Sequence, residues 1–147
     1  MESITAWMRQ DHVLIDGILD RATAAAQVGD LAALERDATL FLQRLERHID
    51  MEESLLFPAF EKRTGMTAAG PSAQMRAEHE QMQGIFLQIR AAAAAQDAAG
   101  FSRASQALLE ILVPHNLKEE QMMYPMLDEA MGAQGPSLLA DVKEMST

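Results

Sequence analysis

The feature that most constrains this chain is a phrase written twice. "HIDMEESLLFP" begins at His48 and "HNLKEEQMMYP" begins at His115, 67 residues later. The same offset carries "RQDHVLIDGIL" from Arg9 onto "RAEHEQMQGIF" from Arg76, with His12 on His79, Gly17 on Gly84 and Ile18 on Ile85. The chain has 4 histidines, and all of them pair in this register. Biased composition explains matching Leu and Ala; it does not explain every His landing in register. Two copies of one unit must therefore bury the same face.

Each unit reads as a helical hairpin. Ala, Leu, Met, Gln and Glu dominate, all good helix formers, and no run of β-branched residues alternates with period two. "VGD" at 28–30 breaks the first pattern, and Asp30 can cap the next helix. "KRTGMTAAGPS" at 62–72 is the long loop, with Ser72 as a candidate cap. "QDAAGFS" at 96–102 and "MGAQGPS" at 131–137 are further breaks. Helices are expected over roughly 3–27, 31–62, 72–96 and 101–131, with a short tail helix near 137–145. Short first and third connections predict an all-α, antiparallel up-down-up-down four-helix bundle with a short C-terminal helix. The length of 147 residues suits one domain, 1–147, built from repeats at about 3–62 and 72–131. Pro58, Pro114 and Pro125 each remove a backbone donor, so kinks rather than helix ends are expected there.

Helical spacing assigns the faces. His12 shares a stripe with Met8, Ile15 and Leu19; His79 with Met75, Met82 and Phe86. His48 falls with Phe41, Leu45 and Leu55, and His115 with Leu108, Leu112 and Met122. All four histidines point inward, and Glu52 and Glu119, four residues after His48 and His115, follow them. Height agrees. His12 and His48 lie 17 before and 19 after Gly29, and His79 and His115 lie 19 before and 17 after Ala98. In antiparallel helices those positions meet in one layer, with the two Glu about one turn away.

Two carboxylates buried together cost several kcal/mol or stay protonated unless something compensates. A lone inward His is usually a satisfied core residue, but four converging on two carboxylates suit a pair of metal ions. Four nitrogen and two oxygen donors suit iron, with manganese or zinc as alternatives, since ligand type does not settle the metal. Neither the Glu-x-x-His motif of ferritin-type sites nor HExxH occurs. With no cysteine, disulfides, thiolate ligands and thiol catalysis are excluded.

These residues resemble the hemerythrin-like (HHE) cation-binding domains: His12 on the first helix, His48-x-x-x-Glu52 on the second, His79 on the third, His115-x-x-x-Glu119 on the fourth. The resemblance spans the chain to about residue 131. It implies a non-haem di-iron centre, oxo- or hydroxo-bridged, in which His12 and His48 bind one iron, His79 and His115 the other, and Glu52 and Glu119 bridge. It implies a protein that binds or senses oxygen, nitric oxide or a related small oxidant. Oxygen-carrying hemerythrins place a further His four residues after the third-helix His, where this chain has Gln83, and an Asp five after the last, where it has Glu120. The four-His, two-Glu set is thus more similar to the di-iron domain of iron–sulfur-cluster repair proteins, which implies an alternative role as iron donor or as a catalyst removing nitric oxide or peroxide.

Other residues rank lower. Glu53 and Glu120 sit one position round the helix and are expected to be solvated or interhelical. Asp16 and Gln83, four residues past His12 and His79, are expected to hydrogen-bond a metal-bound imidazole or a bound ligand. Gly17 and Gly84 read as close-packing positions, and Tyr124 and the Met-rich fourth helix as core. The net charge of −10 argues against nucleic acid as partner. No apolar run is long enough for a membrane span, and no secretory apolar segment opens the chain, so a cytoplasmic location is expected.

Overall fold

A computed structural model describes residues 2–147. Among them the regular structure is entirely helical: α1 (Ile4–Val28), α2 (Leu31–Met51), α3 (Phe57–Thr64), α4 (Pro71–Ala94), α5 (Ala98–Lys118), α6 (Tyr124–Met131) and α7 (Gly135–Met145). A π-helical turn, Glu52–Leu56, joins α2 to α3, and another, Glu119–Met123, joins α5 to α6. The chain thus forms four long rods and a short tail helix. α1 packs on α2, α2 on α4, α4 on α5, and α5 back on α1, closing a helical bundle. α7 lies against α1 and the first π turn.

The sequence punctuation acts largely as expected. Ser3 caps α1 by accepting the Ala6 N–H at 3.0 Å. Gly29 closes α1 in the left-handed region at φ 74°, where a side chain would be strained, and Asp30 caps α2 through the Ala33 N–H. α5 begins at Ala98 rather than 101, because Asp97 caps it by accepting the Gly100 N–H at 2.9 Å. Ser72 does not cap α4: Gly70 takes that position, and the buried Ser72 hydroxyl donates to Glu61 at 2.8 Å. α5 runs uninterrupted through Pro114.

The other two prolines have a consequence that kinks do not describe. Pro58 and Pro125 have no N–H to offer the carbonyl four residues back. The residue before each bonds one residue further back instead: the Phe57 N–H donates to the Glu52 carbonyl, and the Tyr124 N–H to the Glu119 carbonyl. One extra residue is thereby accommodated in each rod. This corrects the inward stripe. Leu55 and Met122 were expected inside, yet Leu55 is only half-buried and Met122 is 43% exposed, while Leu56 and Met123 take the core positions. Phe57 and Tyr124 are carried inward with them.

The apolar core divides into two clusters. One gathers Ile15, Leu45, Met82 and Leu112 with the residues towards Gly29 and Gln96. The other gathers Met8, Met51, Met75 and Met123 with Phe57, Phe60, Tyr124, Leu127 and α7. Along three rods the change from one cluster to the other spans a histidine, and on the second it comes just past His48, between Ile49 and Met51, so the polar layer is shut between two apolar ones.

Candidate metal centre

The six residues expected as ligands come together and are all buried. They form two groups that share a carboxylate: Glu52, His79, His115 and Glu119, and His12, His48 and Glu119. The donor atoms within each group lie within 4.8 Å of one another. The imidazoles pair off, with ring centroids 4.6 Å apart for His12 and His48 and 4.8 Å for His79 and His115.

The carboxylates stand between the pairs and divide their oxygens. Glu52 Oε1 lies 3.2 Å from His79 Nε2, while its Oε2 lies 3.7 Å from His48 Nε2. Glu119 Oε2 lies 3.4 Å from His115 Nε2, while its Oε1 lies 3.2 Å from His12 Nε2. Both glutamates open the π turns, so the backbone irregularity forced by Pro58 and Pro125 begins at the residues that aim into the site. The HxxxE spacing sets His and Glu on one face.

Every imidazole is held from behind by a carboxylate. Nδ1 of His48 donates to Asp11 at 2.7 Å, of His79 to Glu53 at 2.7 Å, of His115 to Glu78 at 2.8 Å, and of His12 to Glu120 at 2.7 Å. Such bonds fix the ring orientation and direct Nε2 inward. Three of the four holders are themselves met by cations: Asp11 by Arg44, Glu78 by Lys118 and Glu120 by Arg9. Glu53 and Glu120 are therefore interhelical residues that serve the site. Asp11 and Glu78 were missed, although they precede His12 and His79 and obey the same 67-residue offset. Asp16 and Gln83 do not hold an imidazole: both are exposed, and the Nδ1 atoms are already engaged. Nothing approaches the Cβ position of Gly17 or Gly84, so neither serves close packing.

Tyr124, expected as core, is core with its hydroxyl in the site. The hydroxyl donates to Glu52 Oε2 at 2.7 Å or Glu119 Oε1 at 2.9 Å and stands 3.2 Å from His48 Nε2 and 3.4 Å from His12 Nε2. Its counterpart in the repeat is Phe57, whose ring stacks on His79.

Electrostatics strain this buried layer. Burial lowers the affinity of His12 for a proton, but Glu119, Glu120 and Glu52 outweigh it and raise its pKa to about 9. Burial is likewise outweighed by Glu52, Glu53 and Glu119 at His79, also raised to about 9. The pKa of His115 is raised too, against burial, chiefly by Glu119. The glutamates split: burial and then the charge of Glu119 raise Glu52, whereas Glu119, despite burial, is held well below the usual range by bonds from Glu52, His115 and His12. Even so, Glu52 Oε1, Glu119 Oε2 and His79 Nε2 are buried without a hydrogen-bond partner. Buried polar atoms are rarely left so, and these three belong to one group of converging donors. A cation satisfies all three at once and replaces the protons that otherwise neutralise the carboxylates. The donor set fits a metal.

The same tie recurs at the rod ends. The Thr5 hydroxyl donates to Asp128 at 2.6 Å as the Ser72 hydroxyl does to Glu61, and Ser72 follows Thr5, as Asp128 follows Glu61, by the same 67 residues. Asp128 also accepts the Ile4 and Thr5 N–H groups at the start of α1, which favours negative charge.

Residues 3–127 match the family model described as hemerythrin HHE cation binding domain. No curated protein and no solved structure matches the chain.

Proposed function

The chain belongs to the hemerythrin HHE cation-binding domain family, and from that premise we propose that its buried layer holds two iron ions and serves to bind or sense oxygen, nitric oxide or a related small oxidant. His12 and His48 hold one ion, His79 and His115 the other, and Glu52 and Glu119 bridge them. The observation that carries this reading is the division of each buried carboxylate, one oxygen to each imidazole pair. A single cation has no use for two such pairs. The reading takes residues 1–147 as one domain of two helical hairpins in up-down-up-down order, which brings the repeat-related histidines to one height.

Iron in nitrogen and oxygen coordination supplies reversible redox change and positions at which a diatomic ligand binds. The chain's own residues set the conditions. Asp11, Glu53, Glu78 and Glu120 fix the imidazoles and raise their basicity. The two apolar clusters keep bulk water from the carboxylates, so their charge stays available to cations. Phe57 presents an apolar ring beside His79. We take the ligand to be a small molecule rather than nucleic acid, consistent with the net charge of −10, and the site of action to be the cytoplasm, consistent with a chain without cysteine. Among the described residues no helix is long and apolar enough to cross a membrane.

The test is metal analysis of the purified protein with its absorption spectrum before and after oxygen, azide and nitric oxide. Two irons per chain, with charge-transfer bands that change on ligand addition, are expected. A protein that binds no metal and melts at the same temperature with and without a chelator contradicts the reading. Steady consumption of nitric oxide or peroxide would replace the sensor with a catalyst at the same centre.

A further inference from the structure

The internal repeat preserves each expected ligand and each carboxylate holder, yet changes one buried position beside the centre. Phe57 and Tyr124 are repeat-equivalent, both follow a π turn, and both are wholly buried. Only Tyr124 carries an oxygen, and it is the single tyrosine in the chain. That oxygen has more polar neighbours than its one proton can serve. It lies 2.7 Å from Glu52 Oε2, 2.9 Å from Glu119 Oε1, 3.2 Å from His48 Nε2 and 3.4 Å from His12 Nε2, four donor atoms from three rods. Donors bound at about 2.0–2.2 Å to one ion, at right angles, are about 2.8–3.1 Å apart. The four separations straddle that value. On the other side Phe57 offers no such atom, and the three unpartnered polar atoms, Glu52 Oε1, Glu119 Oε2 and His79 Nε2, all lie there.

Building on the two-ion reading, we propose that the Tyr124 phenolic oxygen is a further ligand of the ion beside His12 and His48. The two ions are then inequivalent. The ion beside His12 and His48 has five protein donors, while the ion beside His79 and His115 has four and keeps more room for an outside ligand. Coordination replaces the phenolic O–H bond with an oxygen–iron bond and releases one proton to solvent; no electron is transferred.

The experiment is resonance Raman spectroscopy of the ferric, two-iron protein, prepared with ordinary and with ring-deuterated tyrosine. A visible charge-transfer band that enhances phenolate ring modes, and a shift of those modes on deuteration, are expected; a single tyrosine makes the assignment unique. Tyr124→Phe is expected to keep two irons per chain and lose the band. Two irons without tyrosine modes, or a band that survives in Tyr124→Phe, overturns the ligand assignment and leaves the two-ion reading standing. A protein that takes up no iron overturns both. Should Tyr124→Phe fail to fold, the isotope shift in the unsubstituted protein decides alone.

Discussion

The His12/His48 half and the His79/His115 half of the layer are copies that differ in what closes them. Both imidazole pairs lie tilted at nearly the same separation, and each ring is held by a repeat-equivalent carboxylate, Asp11 and Glu120 on one side, Glu78 and Glu53 on the other. The first half is completed by Tyr124, and its inward-facing imidazole and carboxylate atoms all have a partner. The second is faced by Phe57 and contains the three unpartnered atoms that face the centre, Glu52 Oε1, Glu119 Oε2 and His79 Nε2. What the repeat maintains is the set of imidazoles and carboxylates that the proposed cations would use. What it varies is the group that, on the proposed reading, would decide how much of each cation is left open.

The largest expected effect comes from removing what the halves share. Glu119→Ala takes one donor from both groups, so iron content measured by elemental analysis should fall from two per chain to below one. His115→Ala takes a donor from one half only and should leave about one iron; equal losses in the two variants would mean that the halves are not separate positions. Loss of the metal should lower the melting temperature by roughly 10 °C, from about 4 kcal/mol of ligand stabilisation at a thousandfold excess over Kd.

A smaller effect is expected from the groups behind the imidazoles. Asp11→Asn and Glu53→Gln should each weaken metal affinity about 10- to 100-fold, as measured by competition with a chromophoric chelator. Asp11→Asn should release the His12/His48 ion first and Glu53→Gln the other. Release in the same order from both variants would erase the distinction.

Acidity separates the metal-free from the loaded protein. His12 and His79 bind protons more tightly folded, at about 9, than unfolded, at about 6.5. Their contribution to stability is therefore complete below about pH 6.5 and lost as pH rises through about 9. The metal-free protein should melt at a lower temperature at about pH 9.5 than at about pH 6.5, whereas bound ions, having displaced the Nε2 protons, should abolish that decline. A metal-free protein whose melting temperature is flat across this window would show that the imidazoles are not paired with the carboxylates as described. The smallest effects are expected from Asp16→Asn and Gln83→Ala, which should leave iron content unchanged and stability within about 0.5 kcal/mol in denaturant titration.

How much of this was legible in the sequence depends on which periodicity a residue obeys. The inward histidines lie on regular α-helical turns, and Glu52 and Glu119 are the first residues of the π turns, ahead of Pro58 and Pro125, so spacing and the 67-residue offset located them. Past Glu52 and Glu119 the turn widens, and α-helical counting put Leu55 and Met122 where Leu56 and Met123 belong. The same slip hid the approach of Tyr124 to the carboxylates. Asp11 and Glu78 were overlooked for another reason. They sit one residue before a histidine, about 100° round the helix, and serve the histidine of the next rod, which becomes visible only when two helices are packed. Their paired acidity at the repeat offset was the available signal. Asp16 and Gln83 were chosen by spacing along one helix, but each imidazole takes its carboxylate from a neighbouring rod.

The central claim, two cations held by four imidazoles and two shared carboxylates, is tested most directly by anomalous X-ray diffraction from crystals of the iron-loaded protein, collected across the iron edge. Two anomalous peaks per chain are expected, one beside His12 and His48 and one beside His79 and His115, with Glu52 and Glu119 between them. A single peak within the layer, or none there, would contradict it.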